Sequence, residues 1–109
     1  PHFIFRSDSA PLAFAGLWAS WRDPNGERLT SCTVITTAPN ALLESIHDRM
    51  PVVLPEDRWS DWLDPVFDDV GALRSMLTPF DARLMSEYPV STLVNSVKNN
   101  YVECIAPLE

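Results

Sequence analysis

Residues 12–36 read LAFAGLWASWRDPNGERLTSCTVIT, and this stretch predicts a β-hairpin. The dipeptide Asn25-Gly26 favours the positive φ angles of a tight hairpin turn. Residues 12–18 form a nearly continuous apolar run, which is typical of a strand buried on both faces. In an extended strand, successive side chains of residues 28–36 would point to opposite faces, and both faces would carry β-branched residues. We therefore expect strands at residues 12–18 and 28–36.

Other stretches predict the remaining elements. We expect further strands at residues 2–6, 52–54, 84–90 and 101–106. Asn40 suits the N-cap of a short helix over residues 41–46, which must end before Pro51 because the residue preceding a proline avoids the α region. Two more helices are expected, one beginning at Pro55 and one over residues 70–77. Their inward-facing residues are expected to be Trp59, Trp62, Leu63, Leu73, Met76 and Leu77.

The fold class follows from the order of these elements. We expect an α+β fold with one mixed, mostly antiparallel β-sheet and short helices packed on it. A chain of 109 residues, 46% of them hydrophobic, fits one domain with a core. Since Pro1 already lies inside a strand-like alternation, we expect residues 1–109 to be a fragment of a single domain. No run approaches the ~20 apolar residues of a membrane span, and we expect no membrane partner.

The charge balance bears on possible partners. Fifteen acidic residues stand against eight basic ones, and the net charge is −7. Affinity for nucleic acid normally comes from Lys and Arg that neutralise phosphates. The composition therefore argues against this chain binding nucleic acid by itself.

The cysteines and tryptophans have ordinary structural interpretations. Neither Cys32 nor Cys104 has a second Cys or a His at metal-ligand spacing, so we expect no metal and two buried free thiols. Unpaired cysteines are compatible with the cytoplasm, which is the expected location. Trp18 and Trp21 could stack on bases, but they flank an apolar strand, so a core or edge-strand role is favoured.

The hexapeptide Ile46-His47-Asp48-Arg49-Met50-Pro51 is the candidate site. His47 supplies a titratable proton donor and acceptor, and Arg49 supplies a fixed positive charge two residues later. This pairing suits a site that handles a sugar-phosphate, where Arg binds a phosphate oxygen and His moves a proton. The alternative from the residues alone is a helix-end His beside a surface Arg–Asp pair.

Several ordered stretches form a longer pattern around this hexapeptide, namely Ala15-Gly16-Leu17-Trp18, Val34-Ile35-Thr36-Thr37-Ala38, Ile46 to Leu54, Pro89-Val90-Ser91, Val94-Asn95 and Val97-Lys98-Asn99. In order and spacing, this pattern resembles the second half of the SRAP (SOS response-associated peptidase) domain. Members of that family attach covalently to abasic sites in single-stranded DNA.

The resemblance implies a mechanism that this chain shares only in part. The amine and thiol of an N-terminal Cys condense with the aldehyde of an abasic deoxyribose to give a thiazolidine, assisted by an Asn and a Glu. All three residues are expected before Pro1, and Pro1 itself matches a family Pro that follows the Glu. His47 matches the active-site His. Thr36 matches a position near the DNA backbone and is assigned to DNA binding. Arg49 belongs to the matching motif and is also assigned to DNA binding, with a structural role as the alternative.

The resemblance also implies a function for the intact protein. That function is a DNA-damage response with autopeptidase and lyase chemistry, with abasic single-stranded DNA as partner and no cofactor or metal. Neither Cys32 nor Cys104 is N-terminal, so we expect this chain alone to be inactive. The alternative is a non-catalytic acidic α+β domain whose exposed tryptophans bind another protein. A stand-alone hydrolase that uses a Ser or Cys with His47 has no supporting spacing.

Overall fold

The computed structural model describes residues 1–109. Short strands and helices alternate along the chain. In order they are β1 (His2–Arg6), β2 (Gly16–Arg22), β3 (Arg28–Val34), β4 (Thr36–Thr37), β5 (Met50–Pro51), α1 (Glu56–Leu63), α2 (Val70–Ser75), a 3₁₀ turn at Ala82–Leu84, β6 (Met85–Pro89), and 3₁₀ turns at Thr92–Asn95 and Val102–Ile105.

The predicted hairpin is confirmed, but its loop covers residues 23–27, and only Gly26 of the Asn25-Gly26 pair has a positive φ. Strands β2 and β3 pair antiparallel from Gly16 opposite Val34 to Arg22 opposite Arg28. Asp23 closes the loop, because its carboxylate accepts from the Glu27 N–H at 2.8 Å and its N–H donates to the Glu27 carbonyl at 2.8 Å. Gly26 has a φ of 83°, the left-handed conformation that glycine adopts without a steric penalty.

The burial predicted for the hairpin is wrong. The first strand covers Gly16–Arg22 rather than residues 12–18, and it is exposed along nearly its whole length, as is β3. Trp18 is 74% exposed, and Cys32, expected to be buried, is also exposed. An apolar run in sequence therefore did not indicate a strand covered on both faces, because only the Gly16 end of the hairpin meets the core, through the Trp62 indole.

A closed cycle of backbone hydrogen bonds joins three chain segments at the base of the hairpin. The Ala15 N–H donates to the Val52 carbonyl at 2.8 Å, Val52 donates to Ile35 at 2.9 Å, and Ile35 donates to Ala15 at 2.9 Å. Because Ile35 takes these partners, the predicted strand 28–36 breaks into β3 and β4. The predicted strand 52–54 is likewise replaced by β5 and an isolated bridge between Phe14 and Val53.

The core of residues 12–80 surrounds this cycle. Ala15 and Val52 are fully buried, and Leu54 and Met76 are 4% and 5% exposed. The predicted inward residues pack against this cluster, except that Leu63 is 77% exposed; those that pack are Trp59, Trp62, Leu73 and Leu77. Both indole N–H groups are satisfied, by the carbonyls of Leu54 at 2.8 Å and Gly16 at 3.2 Å.

Residues 1–11 and 81–109 form a second compact unit. Strands β1 and β6 pair antiparallel over their full length, from His2 opposite Pro89 to Arg6 opposite Met85. Phe3 and Phe5 stack beside Tyr88, whose hydroxyl donates to the Ile105 carbonyl at 2.8 Å. The buried apolar residues of this unit are Met85, Val90 and Cys104.

Two predicted elements take other forms. Residues 101–106, expected as a strand, form the 3₁₀ turn Val102–Ile105, in which the Cys104 N–H donates to the Tyr101 carbonyl at 3.1 Å. An apolar alternation without a pairing strand satisfies its backbone locally. Residues 41–46, expected as a helix, form consecutive hydrogen-bonded turns. The chain must straighten before Pro51, because the residue preceding a proline avoids the α region, and the segment remains a series of turns.

The α+β class with antiparallel strands and short helices is confirmed. The expectation of one sheet is wrong, because the strands form three separate two-stranded ladders, β1–β6, β2–β3 and β4–β5. No helix has the length and apolar character needed to cross a lipid bilayer.

Shortening a side chain beside the buried cycle should lower the free energy of unfolding far more than shortening an exposed one. Leu54→Ala should lower the free energy of unfolding by about 2–5 kcal/mol, since it leaves a cavity next to Ala15 and Val52. Val66→Ala is the matched control, because Val66 is 82% exposed, and it should change stability by less than about 0.5 kcal/mol. Urea titration followed by Trp fluorescence measures both. Equal effects would show that Leu54 is not part of the stabilising core.

Candidate functional site

The loop that carries His47 is anchored by Asn40. The Asn40 side chain is buried, and its Oδ1 accepts from the Leu42 and Leu43 N–H groups at 3.2 and 3.1 Å. Its Nδ2 donates to the Phe80 carbonyl at 2.8 Å. The turn that begins here ends where the His47 N–H donates to the Leu43 carbonyl at 3.0 Å. Asn40 therefore caps the turn, as predicted, and also ties it to a residue 40 positions away.

The His47 ring is held at one nitrogen. Its Nδ1 lies 2.9 Å from the Arg49 backbone N and 3.0 Å from the Arg49 carbonyl oxygen. One Asp48 carboxylate oxygen lies 3.1 Å from the same nitrogen. The Nε2 atom has no partner within the chain, and the His47 side chain is 68% exposed. The ring therefore presents Nε2 to solvent.

The Arg49 guanidinium is bound to Thr36. Its Nη2 donates to the Thr36 carbonyl at 2.8 Å and to Thr36 Oγ1 at 3.1 Å, and its Nε lies 3.3 Å from Oγ1. Thr36 is itself fixed, because β4 pairs with β5 through Thr36 opposite Pro51 and Thr37 opposite Met50. The other terminal nitrogen, Nη1, has no partner within the chain.

The structure thus brings the three predicted site residues together. Arg49 contacts both of the others, Thr36 through its guanidinium and His47 through its backbone. An exposed imidazole can accept or donate a proton, and the free face of the guanidinium can bind an anion such as a phosphate.

Two features of the site carried no signal in the sequence. The hydrogen bond from Asn40 to Phe80 joins residues far apart in the chain. The hydrogen bonds from the Arg49 guanidinium to Thr36, called the clasp below, join residues 13 positions apart. Asp48 was seen only as part of the motif, although its carboxylate reaches the His47 ring. No group of three His, Cys, Asp or Glu side chains is placed to hold a metal ion.

The fold and the site define an α+β protein with a solvent-facing His–Arg site on the loop before β5. Residues 1–97 match the sequence profile of the family "SOS response associated peptidase (SRAP)". The chain belongs to this family, as its motifs indicated.

Relatives within the family carry a common name. The chain is 53% identical over 105 residues to the abasic site processing protein YoqW of Bacillus subtilis, covering 96% of this chain and 47% of YoqW. It is 37% identical over 99 residues to the abasic site processing protein HMCES of Rattus norvegicus, covering 90% of this chain and 28% of HMCES. The chain therefore spans about half the length of YoqW and less of HMCES.

Solved structures show the same fold. A protein from Bacteroides thetaiotaomicron superposes with a TM-score of 0.85 at 25% identity, over 100% of this chain and 48% of that one. A protein from Bordetella bronchiseptica superposes with a TM-score of 0.68 at 32% identity, over 80% of this chain and 43% of that one.

The anchoring of the loop predicts a cost for losing Asn40. Asn40→Ala should destabilise the chain by about 1–3 kcal/mol, because it removes the cap and leaves the buried Phe80 carbonyl without its donor. Asn100→Ala, at an exposed position, is the control and should have almost no effect. Thermal unfolding followed by circular dichroism compares the two. A stability loss no larger for Asn40 than for Asn100 would contradict this anchoring role.

Proposed function

We propose that this chain forms part of a longer protein that processes abasic sites in DNA, with His47 as its proton-transferring group. The relatives that are named abasic site processing proteins support the reaction class. The observation that carries the assignment within this chain is the His47 ring, held at Nδ1 and open at Nε2. A ring displayed in this way can exchange protons with a sugar that approaches from solvent.

Covalent capture of the sugar is the chemistry we propose for the intact protein. The amine of an N-terminal Cys adds to the C1′ aldehyde of the opened deoxyribose, and the hydroxyl of this adduct gains a proton and leaves as water, which gives an iminium ion. The thiol then adds to the iminium carbon, loses its proton and closes a neutral thiazolidine. One aldehyde, one amine and one thiol thus give the ring and one water.

His47 acts in this sequence as a proton shuttle. The hydroxyl of the amine adduct leaves as water only after it gains a proton, and closure by the thiol releases a proton. An imidazole can both donate and accept a proton, so one residue can serve both steps. The proposal leaves this chain alone inactive, because Cys32 and Cys104 lie inside the chain and their nitrogens are peptide amides rather than free amines.

The DNA strand is proposed to pass Thr36 and Arg49. The free Nη1 of Arg49 offers a charged donor to a phosphate oxygen, and Thr36 lies beside it. With a net charge of −7, this chain offers few such contacts, so most of the affinity must come from the rest of the protein. Single-stranded DNA as partner, peptidase and lyase activity, and a cytoplasmic location are proposed on the family resemblance.

A second candidate function rests on the exposed hairpin. Trp18 and Trp21 are 74% and 58% exposed, and Leu29 beside Trp21 is 59% exposed. Large apolar side chains in solvent favour a protein-binding surface. A pure interaction domain would need no particular residue at His47, so the two functions are separated by substitution at that position.

The test replaces each of the two histidines in the longer protein. His47→Ala should slow formation or reversal of the covalent adduct with abasic single-stranded DNA by ~10²–10⁴-fold, the usual contribution of a positioned acid or base. His47→Gln retains size and some hydrogen bonding but does not titrate. The matched control is His2→Ala, because His2 bonds Glu87 at 2.6 Å in the other unit and has no proposed role.

Denaturing gels of the adduct, run from reactions across a pH series, give both rates. If both His47 variants form and release the adduct at wild-type rates at every pH, the proposed role of His47 is wrong. A difference between Ala and Gln separates positioning from proton transfer.

A further inference from the structure

Most of the hydrogen-bond donors of the Arg49 guanidinium bind acceptors within the chain. Two of its three nitrogens bind Thr36, at distances of 2.8, 3.1 and 3.3 Å. Both acceptors, a hydroxyl and a carbonyl oxygen, belong to one residue. A planar guanidinium bound in this way is fixed in orientation as well as in position. A side chain that served only to bind phosphate would not need this arrangement.

Thr36 and Arg49 both lie next to residues of the buried core. Thr36 lies one residue after Ile35, whose backbone belongs to the buried hydrogen-bond cycle. Arg49 directly precedes Met50, which is 2% exposed and pairs with Thr37 across the β4–β5 ladder. The clasp therefore ties the exposed loop 47–49 to the best-buried part of the chain.

The backbone of Arg49 meets the His47 ring with both a donor and an acceptor. Its N–H lies 2.9 Å from Nδ1 and its carbonyl oxygen lies 3.0 Å from the same atom. When Nδ1 carries no proton, it accepts from the N–H, and when Nδ1 is protonated, it donates to the carbonyl. The ring therefore has a partner at Nδ1 in either tautomer, and Nε2 faces outward in both.

We propose that Arg49, clasped to Thr36, is a positioning residue that holds the His47 ring through its own backbone, so that Nε2 is the atom that exchanges protons with the substrate. This inference rests on the proposed function for its catalytic consequence, but the geometry it describes is independent of that function. It adds to the proposed phosphate contact, since Nη1 remains free while the other two nitrogens bind Thr36.

The first test is spectroscopic and uses the 109-residue chain. Thr36→Val removes the hydroxyl at constant shape, whereas Thr36→Ser keeps it. We expect the ¹⁵N signals of the His47 ring to move toward those of a freely rotating exposed histidine in Thr36→Val and in Arg49→Lys, and to stay at wild-type positions in Thr36→Ser. The His2 ring is the internal reference. An unchanged His47 ring in both Thr36→Val and Arg49→Lys would overturn the proposal, whatever the protein's function.

The second test separates positioning from DNA binding in the longer protein. In single-turnover reactions at saturating abasic single-stranded DNA, Thr36→Val and Arg49→Lys should slow adduct formation by about 10- to 100-fold, as expected for a misplaced catalytic group. Thr36→Ser should stay near wild type, because it keeps the hydroxyl that accepts from the Arg49 guanidinium. Saturating DNA removes any change in the affinity of Thr36→Val for DNA from this comparison of rates. A weakened Kd with a wild-type rate at saturation would instead make Thr36 and Arg49 DNA contacts only.

Failure of the two proposals is distinguishable. If the wild-type protein forms no adduct, the proposed function is wrong, and the ring signals of His47 still decide whether the clasp positions it. If the wild type forms the adduct and Thr36→Val matches it in rate and in ring signals, the clasp has no positioning role.

Discussion

Three backbone hydrogen bonds that close on themselves support the rest of residues 12–80. Ala15, Ile35 and Val52 each donate once and accept once within the cycle, at 2.8 to 2.9 Å. Ala15 and Val52 are fully buried, so these polar groups have no water to replace a lost partner. These mutual hydrogen bonds hold three short segments together at the centre of the core, although none of the segments forms a long strand. The helices α1 and α2 then cover the cycle with tryptophan and leucine side chains.

The candidate site is a direct consequence of this cycle. Ile35 and Val52 hold their neighbours Thr36 and Pro51 in register, and Arg49 reaches back across that short ladder to Thr36. His47 then takes its orientation from the Arg49 backbone and its position from the turn capped by Asn40. The exposed His47 ring, which we propose as the proton-transferring group, thus takes its place from segments that are tied to the buried core. The family relationship and the named relatives support the proposed reaction. Because the net charge of the chain is −7, we propose that most of the affinity for DNA comes from other parts of the longer protein.

The sequence predicted those parts of the fold that depend on local chemistry. The Asn25-Gly26 turn, the apolar face of α1 at Trp59 and Trp62, and the cap at Asn40 all follow from side-chain type and spacing. The wrong predictions concern which other part of the chain packs on a segment or pairs with it. An apolar run at residues 12–18 does not reveal whether another layer covers it, and residues 101–106 alternate like a strand but have no strand to pair with. At the site, the motif predicted His47 as a site residue, and the structure places its side chain in solvent. The hydrogen bonds between Arg49 and Thr36 depend on tertiary register, which residue spacing does not reveal.

Amide hydrogen exchange on the 109-residue chain tests the role of the cycle most directly. The amides of Ala15, Ile35 and Val52 should exchange more slowly than all others in residues 12–80, and the exposed hairpin amides of β2 and β3 should exchange much faster, since exchange from a buried cycle requires the unit to open as a whole. Exchange of Ala15, Ile35 and Val52 at the rate of the hairpin amides would show that the cycle is not the element on which the fold and the His47 site depend.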